Sequence, residues 1–418
     1  MGSSEVCEQR FPQGCGGSVE KFPVYLGRGS IILMSTLESP LRNLEPVGAN
    51  DSHPIAFTLA KYRFTFRPMG VMHLPPYKGA TLRGGFGYAF KDLVCIKPDR
   101  HCETCLIQDH CRYFQIFETP VPKGATMMRK YPRAPHPFVL TPPLDERTEF
   151  SEKEELSFEL VLIGRAVDYL PYFIYTFEEL GRRGIGREHS KFVLLRVESF
   201  SAISPGVNGS STSQWSPVYS NITKKLSNQD IATISFSDIQ NSSLIVHRSL
   251  QFTRLTLHFL TPVRITTNER LDHDLAFINF MKALLRRIQL LQYFHCDSFG
   301  SQSSRGDRIT EACPGSTGAC SEEDPGGSLT LAEVRRLLKL SESVEIHKSN
   351  MRFKDLTRFS TRQKRSTSIS GFTGAITYGF PTNELLRDFL FYLQLGSLIH
   401  AGKHTSFGLG KYELKLGL

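Results

Sequence analysis

The sequence predicts an α+β protein in which one βαββαβ unit occurs twice along the chain. Alternating apolar residues indicate the strands, amphipathic stretches indicate the helices, and both halves repeat the same order of elements. Each half also carries a glycine-rich loop between its last helix and its last strand, at 181–187 and at 402–411. The order is that of a ferredoxin-like domain, so we expect two such domains in tandem, facing each other across a cleft.

The composition is that of a folded, water-soluble protein. The chain has 418 residues, of which 40% are hydrophobic and 22% are charged, so a sizeable core can form. No run of about 18 apolar residues is present, which argues against a membrane as a partner. The net charge of +9 favours polyanionic partners. No secretory signal is visible and nine cysteines are present, so we expect a reducing, cytoplasmic setting.

Shifts in composition predict the domain boundaries. An irregular N-terminal extension is expected at 1–54, followed by a first domain at 55–200. A linker rich in Ser, Asn, Thr and Gly is expected at 201–250, and the second domain at 251–418. A polar insertion at 295–327 interrupts the second domain.

The first unit begins with a strand at 55–67. Phe57 and Leu59 alternate with polar residues, and Tyr62 and Phe64 resume the alternation one step out of phase, which predicts a bulge. The remaining predicted elements are a helix at 80–94, a strand at 156–162, a helix at 168–180 and a strand at 192–197, with a Pro-rich extended segment at 132–143.

The second unit repeats this pattern. Its first strand is predicted at 252–260, and a long amphipathic helix follows at 275–294 with one apolar face. Further strands are predicted at 344–347, 367–369, 375–378 and 411–415, and a last helix at 383–398.

The two glycine-rich loops are the first feature that carries chemistry. We call 181–187 the first glycine loop and 402–411 the second glycine loop. Glycine lets the backbone approach a ligand and expose its N–H groups, and both loops contain Lys or Arg that could bind phosphate. The alternative is that the glycines only form turns. Neither loop has the spacing of a nucleotide-binding P-loop.

Four cysteines form the second feature. Cys95, Cys102, Cys105 and Cys111, the cysteine cluster, are separated by six, two and five residues. Such spacing suits four thiolates on one metal, so we expect a structural zinc site, with an iron–sulfur cluster as the alternative. Free thiols without a metal, or an enzyme whose chemistry resides at this cluster, are the other interpretations.

A basic stretch at 351–365 is the third feature. It contains six Lys or Arg residues and one acidic residue, and Phe353 and Phe359 lie between them. Cations neutralise phosphates and aromatic rings stack on unpaired bases, so the stretch predicts RNA binding. The alternative is a solvated face with core phenylalanines.

At this point the motifs resemble the CRISPR-associated RAMP superfamily, and within it the endoribonuclease that processes precursor CRISPR RNA. The residues that carry the resemblance are the turn 82–84, the segments 137–143, 180–186, 259–265, 358–363 and 371–374, and the second glycine loop. It implies binding of CRISPR repeat RNA, possible association with a CRISPR effector complex, and one metal-independent cut. Attack by the 2′-OH would leave a 2′,3′-cyclic phosphate and a 5′-OH.

The resemblance does not identify the catalytic residues, because the predicted first helix contains no histidine. We therefore expect His73 or His101 to transfer protons and Lys78 or Lys91 to contact the phosphate, with Tyr88 also close. The alternative function is a catalytically inactive RNA-binding subunit of an effector complex. The predicted RNA-binding residues are Arg83, Arg182, Arg183, Arg187, Arg358, Arg362, Lys364, Gly402, Lys403, His404, Thr405, Gly408 and Gly410.

Overall fold

The computed structural model describes most of the chain from residue 57 onwards. The described ranges are 57–97, 99–201, 214–227, 231–235, 238–239, 252–267, 269–296, 329–360 and 365–417. The predicted N-terminal extension and most of the polar insertion lie outside the described residues, as do Arg362 and Lys364 of the basic stretch.

The first domain contains an antiparallel sheet with two helices on one face. Its elements are β1 (Thr58–Pro68), β2 (Met72–His73), α1 (Gly79–Val94), β3 (Phe138–Thr141), β4 (Glu149–Phe150), β5 (Leu156–Ile163), α2 (Leu170–Arg183), β6 (Phe192–Ser201), β7 (Gln214–Ser220) and β8 (Ile234–Ser235). The strand order is β3-β5-β1-β6-β7, and β8 also pairs with β1. The strands β3-β5-β1-β6 have the ferredoxin-like order. Strand β7, which lies in the predicted linker, extends the sheet next to β6.

The second domain repeats the arrangement. Its elements are β9 (Arg254–Val263), β10 (Thr266–Thr267), β11 (Arg270–Leu271), α3 (Phe277–Leu291), α4 (Leu331–Ser341), β12 (Glu345–Lys354), β13 (Thr357–Ser360), β14 (Arg365–Ser368), β15 (Gly371–Gly379), α5 (Asn383–Ile399) and β16 (Tyr412–Gly417). Its main sheet has the order β12-β15-β9-β16. The predicted α+β fold of two ferredoxin-like domains is confirmed.

Helix α4 was not predicted, although its start follows a standard capping rule. The Thr330 side chain accepts a hydrogen bond from the Glu333 backbone N–H over 3.1 Å. A threonine followed three residues later by glutamate is a typical signal for a helix N-terminus. The short amphipathic stretch lies directly after the polar insertion, which concealed the signal.

An aromatic core joins both helices of the first domain to its sheet. The ring of Phe86 on α1 lies 4.7 Å from Phe173 and 5.4 Å from Phe177, both on α2. Phe177 in turn contacts Phe64 of β1 with ring centroids 5.4 Å apart. Because α1 is fixed by these large buried rings, the residues on its N-terminal turns have defined positions.

The phase change in β1 has a different cause from the predicted bulge. Pairing with β5 is regular from Leu59 to Phe66, and the register shift in β1 occurs opposite β6, between Thr65 and Phe66. Leu59 belongs to the core cluster of the second domain, whereas Tyr62 belongs to that of the first. Both faces of β1 are therefore buried, so the predicted bulge at this point is wrong.

The same contact shows that no open cleft separates the domains at this sheet face. Phe57, Leu59, Val139, Val161 and Ile163 of the first domain share one apolar cluster with α3 and α5. Each of these side chains is at most 3% exposed, so the two sheets form one continuous packed unit here. The rigid docking places the second glycine loop against the first domain.

A partly buried ionic group reinforces the docking. Glu159 of β5 lies 3.1 Å from the Lys61 ammonium and 3.0 Å from that of Lys411, which ends the second glycine loop. Burial acts to raise the pKa of Glu159, but the two lysines outweigh it and hold the pKa at about 2. Glu159 is therefore ionised and tied to both domains at neutral pH.

Candidate nucleic-acid interface

The second glycine loop packs against the start of α1 and the end of β3. The Tyr77 hydroxyl donates a 2.7 Å hydrogen bond to the Phe407 carbonyl. A Cβ on Gly79 would lie 2.1 Å from that carbonyl, and a Cβ on Gly408 would lie 2.6 Å from the Leu140 carbonyl. Glycine at these positions permits the close approach of two backbones. The loop is thus built into the contact between the domains.

Three backbone amides of this loop donate hydrogen bonds to carbonyls of the protein itself. The N–H groups of Lys403, Gly408 and Gly410 donate to the carbonyls of Arg264, Thr405 and Pro262 at 2.8–2.9 Å. The prediction that the glycines expose these amides to a ligand is wrong. Thr405, Gly408 and Gly410 are buried, whereas Lys403 is exposed and His404 is partly exposed. The loop therefore presents side chains, not backbone, to a ligand.

Two arginines lie over the same aromatic ring of this loop. The guanidinium groups of Arg83 and Arg358 are each 4.8 Å from the centre of the Phe407 ring. The Nε atom of each is buried and has no hydrogen-bond partner among the described residues. Burial, together with the neighbouring charge of Arg358, lowers the pKa of Arg83 to about 10. An anion would stabilise two like charges that are held together with unused donors.

Arg83 is held in place by a neutral histidine. Its Nη2 donates a 2.9 Å hydrogen bond to Nε2 of His136, and His136 Nδ1 lies 3.1 Å from the Thr119 hydroxyl. Since a guanidinium can only donate, Nε2 must accept, which leaves the ring proton on Nδ1. Burial, followed by the charge of Arg83, lowers the pKa of His136 well below its usual value. Arg83 also lies 3.8 Å from the Phe117 ring.

Sequence reasoning did not find His136. It lies in the Pro-rich segment 132–143, which was predicted only to be extended. Its contacts are with Arg83 and Thr119, which lie 53 and 17 positions earlier in the chain. No local pattern links these positions, so the signal exists only in the folded protein.

A wider group of cations surrounds the paired arginines. Burial, then the charges of Arg358, Arg264 and Lys403, lower the pKa of His404 to about 4. His404 is therefore neutral at pH 7, and its ring has no hydrogen bond to any residue that the structure describes. Within the described part of the chain, none of Arg83, Arg264, Arg358 and Lys403 forms an ion pair with a carboxylate. The uncompensated positive charge favours a polyanionic ligand.

The basic stretch adds two exposed aromatic rings. Phe353 is 53% exposed and Phe359 is 67% exposed, on β12 and β13. Arg358, between them in the chain, reaches Phe407, whereas Lys354 forms an ion pair with Glu146 of the first domain. Exposed rings beside an anion site can stack on unpaired bases.

The first glycine loop differs, because its arginines are mostly paired. Arg182 and Arg183 both bond Glu179, and Arg183 also bonds Asp92. Arg187 is exposed and forms no ion pair with a described carboxylate. Of the predicted RNA-binding residues in this loop, Arg187 is therefore the one with the most accessible charge.

His73 lies beside the first glycine loop. Its Nδ1 is 2.8 Å from Glu188 and its Nε2 is 3.6 Å from Glu149. The hydrogen bond and charge of Glu188, aided by Glu149, raise the pKa of His73. This histidine therefore stays protonated to a higher pH than a free one and can act as a proton donor.

The other predicted catalytic residues occupy different surroundings. Lys78 is fully buried, and its ammonium donates to the Asp145 carbonyl at 2.6 Å and lies 3.4 Å from the Asp145 carboxylate. Lys91 contacts the Tyr113 ring and the Cys102 thiol. Tyr88 is 65% exposed, and His101 borders a cavity at the cysteine cluster. The structure does not bring these residues together into one site.

The four predicted metal ligands line that cavity together. All four are partly buried and none is in a disulfide. Among the residues that the structure describes, no group of three or more His, Cys, Asp or Glu side chains is arranged ready to hold a metal ion.

Residues 257–412 match the family model described as CRISPR-associated endoribonuclease Cas6. The match covers most of the second domain. It spans the second glycine loop, Arg358 and Phe407, so the site described above lies largely within the matched region. Residues 57–231 match a second family model, AF_1859_N, described as an N-terminal domain. The resemblance to a CRISPR-associated RAMP protein is confirmed.

Individual relatives of the chain are distant. An uncharacterised protein of Archaeoglobus fulgidus is 24% identical over 343 residues, which cover 82% of this chain and 93% of that protein. A solved Cas6 product complex is similar with a TM-score of 0.46 and 16% identity, over 86% of this chain and 99% of that chain. For Thermus thermophilus Cas6 the TM-score is 0.44 and the identity 15%, with the same coverage.

Helices able to span a membrane are absent from the described residues, where none is both long enough and apolar enough.

Proposed function

We propose that this protein binds CRISPR repeat RNA and cuts precursor CRISPR RNA without a metal ion. One observation carries the proposal: Phe407 of the second glycine loop contacts two arginines that, among the residues the structure describes, have unused donors and no carboxylate partner. A phosphodiester would supply the missing negative charge and acceptor oxygens. Phe353 and Phe359 would stack on neighbouring bases.

The proposed reaction is an internal transesterification. The ribose 2′ oxygen attacks the neighbouring phosphorus, and the bond from phosphorus to the 5′ oxygen breaks. Arg83 and Arg358 would bind the non-bridging oxygens and stabilise the charge that develops on them. The proton of the 2′-OH passes to a base, and an acid returns a proton to the 5′ oxygen. The products are a 2′,3′-cyclic phosphate and a 5′-OH.

We assign the base role to His404 and retain a proton-transfer role for His73 as the acid, although His73 lies beside the first glycine loop and no described contact joins it to the paired arginines. His404 lies in the cation group and is neutral at pH 7, and the charge of a bound phosphodiester would offset the cations that lower its pKa, so its ring can take up the proton. His73 has a raised pKa and can donate one. His101 borders the cavity at the cysteine cluster, so we do not assign it to proton transfer.

The test is cleavage of the host's CRISPR repeat RNA by purified protein in EDTA, with both product ends mapped. We expect one cut that leaves a cyclic phosphate and a 5′-OH. An RNA with 2′-deoxyribose at the cut position is the matched control, and it should bind but remain intact. Cleavage only after Mg²⁺ is added would contradict metal independence. Tight binding without any cut would identify the inactive subunit of an effector complex.

Separate replacements of the three histidines by alanine then test the assignment. Under single-turnover conditions, His404→Ala and His73→Ala should slow cleavage while RNA binding is retained, and His101→Ala should not. An unchanged rate in His404→Ala would refute its role as the base. The processed RNA could stay bound and pass to an effector complex, which co-purification of product with the protein would show.

A further inference from the structure

We propose that the cysteine cluster binds one zinc ion, which fixes the segment that follows α1. The spacing of the four cysteines is one argument, because a Cys-x-x-Cys pair with two flanking cysteines supplies the four thiolates of a structural zinc site. The proposal concerns the fold and does not depend on the RNA chemistry.

The second argument is spatial. Cys95, Cys102, Cys105 and Cys111 all border one cavity of about 20 Å³, although 15 residues separate the first from the last. A cavity of this volume holds about one water molecule, and therefore one ion. A four-iron cluster with its bridging sulfides needs far more room. A single ion fits this space as the structure shows it, and metal analysis of the purified protein distinguishes zinc from an iron–sulfur cluster.

The charges around the cavity suit a thiolate site. Four thiolates and Zn²⁺ carry a net charge of about −2, which requires nearby cations. The Lys91 ammonium contacts the Cys102 thiol, and Lys97 lines the cavity. Lys97 also bonds the carbonyls of His101 and Thr104 at 3.4 and 3.1 Å, so its charge is held beside the cluster.

The cysteines lie in hydrogen-bonded turns or at the end of a helix. The Cys105 N–H donates to the Cys102 carbonyl at 3.2 Å, and the Cys111 N–H donates to the Gln108 carbonyl at 3.1 Å. The Cys95 N–H donates to the Lys91 carbonyl at 2.9 Å and ends α1. The side chains border the cavity without yet converging, so binding requires rotation of the thiols towards its centre.

Such a site would support Arg83 indirectly. Cys111 leads into a helical turn, Phe114–Glu118, that carries Phe117 beneath the Arg83 guanidinium. A Cβ on Gly87 of α1 would lie 2.0 Å from the Phe117 ring, so this ring is closely packed on the helix. Zinc would connect the end of α1 to the start of this turn and keep both in position.

The experiment measures metal and labile sulfide in full-length protein purified without chelator. We expect about one zinc per chain and no iron. Cobalt exchanged into the site should show the absorption of a tetrahedral thiolate complex. Iron with acid-labile sulfide would overturn the zinc assignment. Folded protein without stoichiometric metal, before and after incubation with zinc, would overturn the site itself.

Variants show which residues hold the ion. The double variant Cys102→Ser/Cys105→Ser should lose the zinc, and the matched control Cys296→Ser should keep it. Zinc retained by the double variant would refute the assignment. Should the double variant fail to fold, chelation of wild-type protein provides the measurement: removal of one zinc, detected by a colorimetric chelator, should lower the melting temperature. A melting temperature unchanged by zinc removal would refute the structural role.

Discussion

The two glycine loops occupy the same place in the same fold and yet have different surroundings. The second loop leaves its own domain and packs on α1 and β3, where Arg83 and Arg358 lie over Phe407. The first loop folds back on its own domain, and a Cβ on Gly184 would lie 2.0 Å from the His189 carbonyl.

The difference teaches that the residues packed against a glycine-rich loop decide whether its surroundings favour an anion. Both loops contain cations, but those of the first loop are largely neutralised by Glu179 and Asp92. The cations near Phe407 of the second loop, Arg83, Arg264, Arg358 and Lys403, come from several elements and lack carboxylate partners within the described residues, whereas Lys411 at the end of the loop pairs with Glu159. The charge that remains unpaired, not the glycine pattern, distinguishes the two loops.

The largest expected effect comes from Gly410→Ala in the second loop. Gly410 has a φ of +74°, and a Cβ there would lie 1.8 Å from the Ala401 carbonyl. Strain and the backbone clash should together lower the free energy of unfolding by about 4 kcal/mol, measured by denaturant titration. Gly186→Ala in the first loop, with a φ of +79° and its nearest atom at 3.1 Å, should cost only about 1 kcal/mol. Equal costs would contradict the comparison.

Arg83→Ala should slow single-turnover cleavage of repeat RNA by about 100-fold, because it removes a donor that stabilises developing charge. Arg187→Ala in the first loop is the matched comparison: its loss can weaken RNA binding, but at saturating protein the single-turnover rate should be unchanged within error. Circular dichroism of both variants checks that they fold. A larger loss with Arg187→Ala would move the site to the first loop.

Glu159→Gln should weaken the docking of the second loop by about 2 kcal/mol, since it leaves Lys61 and Lys411 without their shared carboxylate. The folded pKa of about 2 lies below the ordinary value of 4.5. The stabilisation is therefore present above pH 4.5 and is lost as the pH falls towards 2. Unfolding measured across this range should show less acid destabilisation in Glu159→Gln than in wild type. Identical profiles would exclude the contribution of Glu159.

His136→Ala should reduce the cleavage rate by about tenfold, equivalent to about 1.4 kcal/mol, because Arg83 loses an acceptor that positions it. His136→Gln keeps an amide oxygen at similar reach and should recover part of the rate. A purely structural role for His136 would give both variants the same rate at equal melting temperature.

The smallest effect concerns the first loop. Glu188→Gln should lower the pKa of His73, which NMR titration of the imidazole measures directly. Because the folded pKa is raised above the ordinary value of 6.5, the ion pair stabilises the fold fully below that pH, and its contribution disappears as the pH rises through the folded pKa. Since His73 is half-exposed, the overall stability should change little. An unchanged pKa would show that the ion pair does not form in solution.

Much of the fold was predictable from local sequence. The observed bounds of α1, α2, β5 and β16 lie within three residues of the predicted ones, because the periodicity of apolar residues is set by each element itself. The phase change in β1 was misread, because a second domain buries Leu59 from the other side. A pattern within one strand does not show what covers each of its faces.

The candidate site was only partly predictable. Arg83 and Arg358 were predicted to bind RNA, and the structure brings them to one ring. Lys78 was predicted to contact phosphate, but its ammonium is buried against Asp145. His136 was not predicted at all. A charged residue in a motif gives no indication of whether its partner is a carboxylate, a carbonyl or solvent.

By itself, the sequence determined the two ferredoxin-like units, the positions of both glycine loops and the spacing of the cysteine cluster. These features depend on side-chain alternation, turn residues and ligand spacing, all of which act over short stretches of chain. Only the tertiary structure decided that Arg83, His136, Arg358 and Phe407 meet. They are separated by up to 324 positions, and their contact results from the packing of one domain on the other.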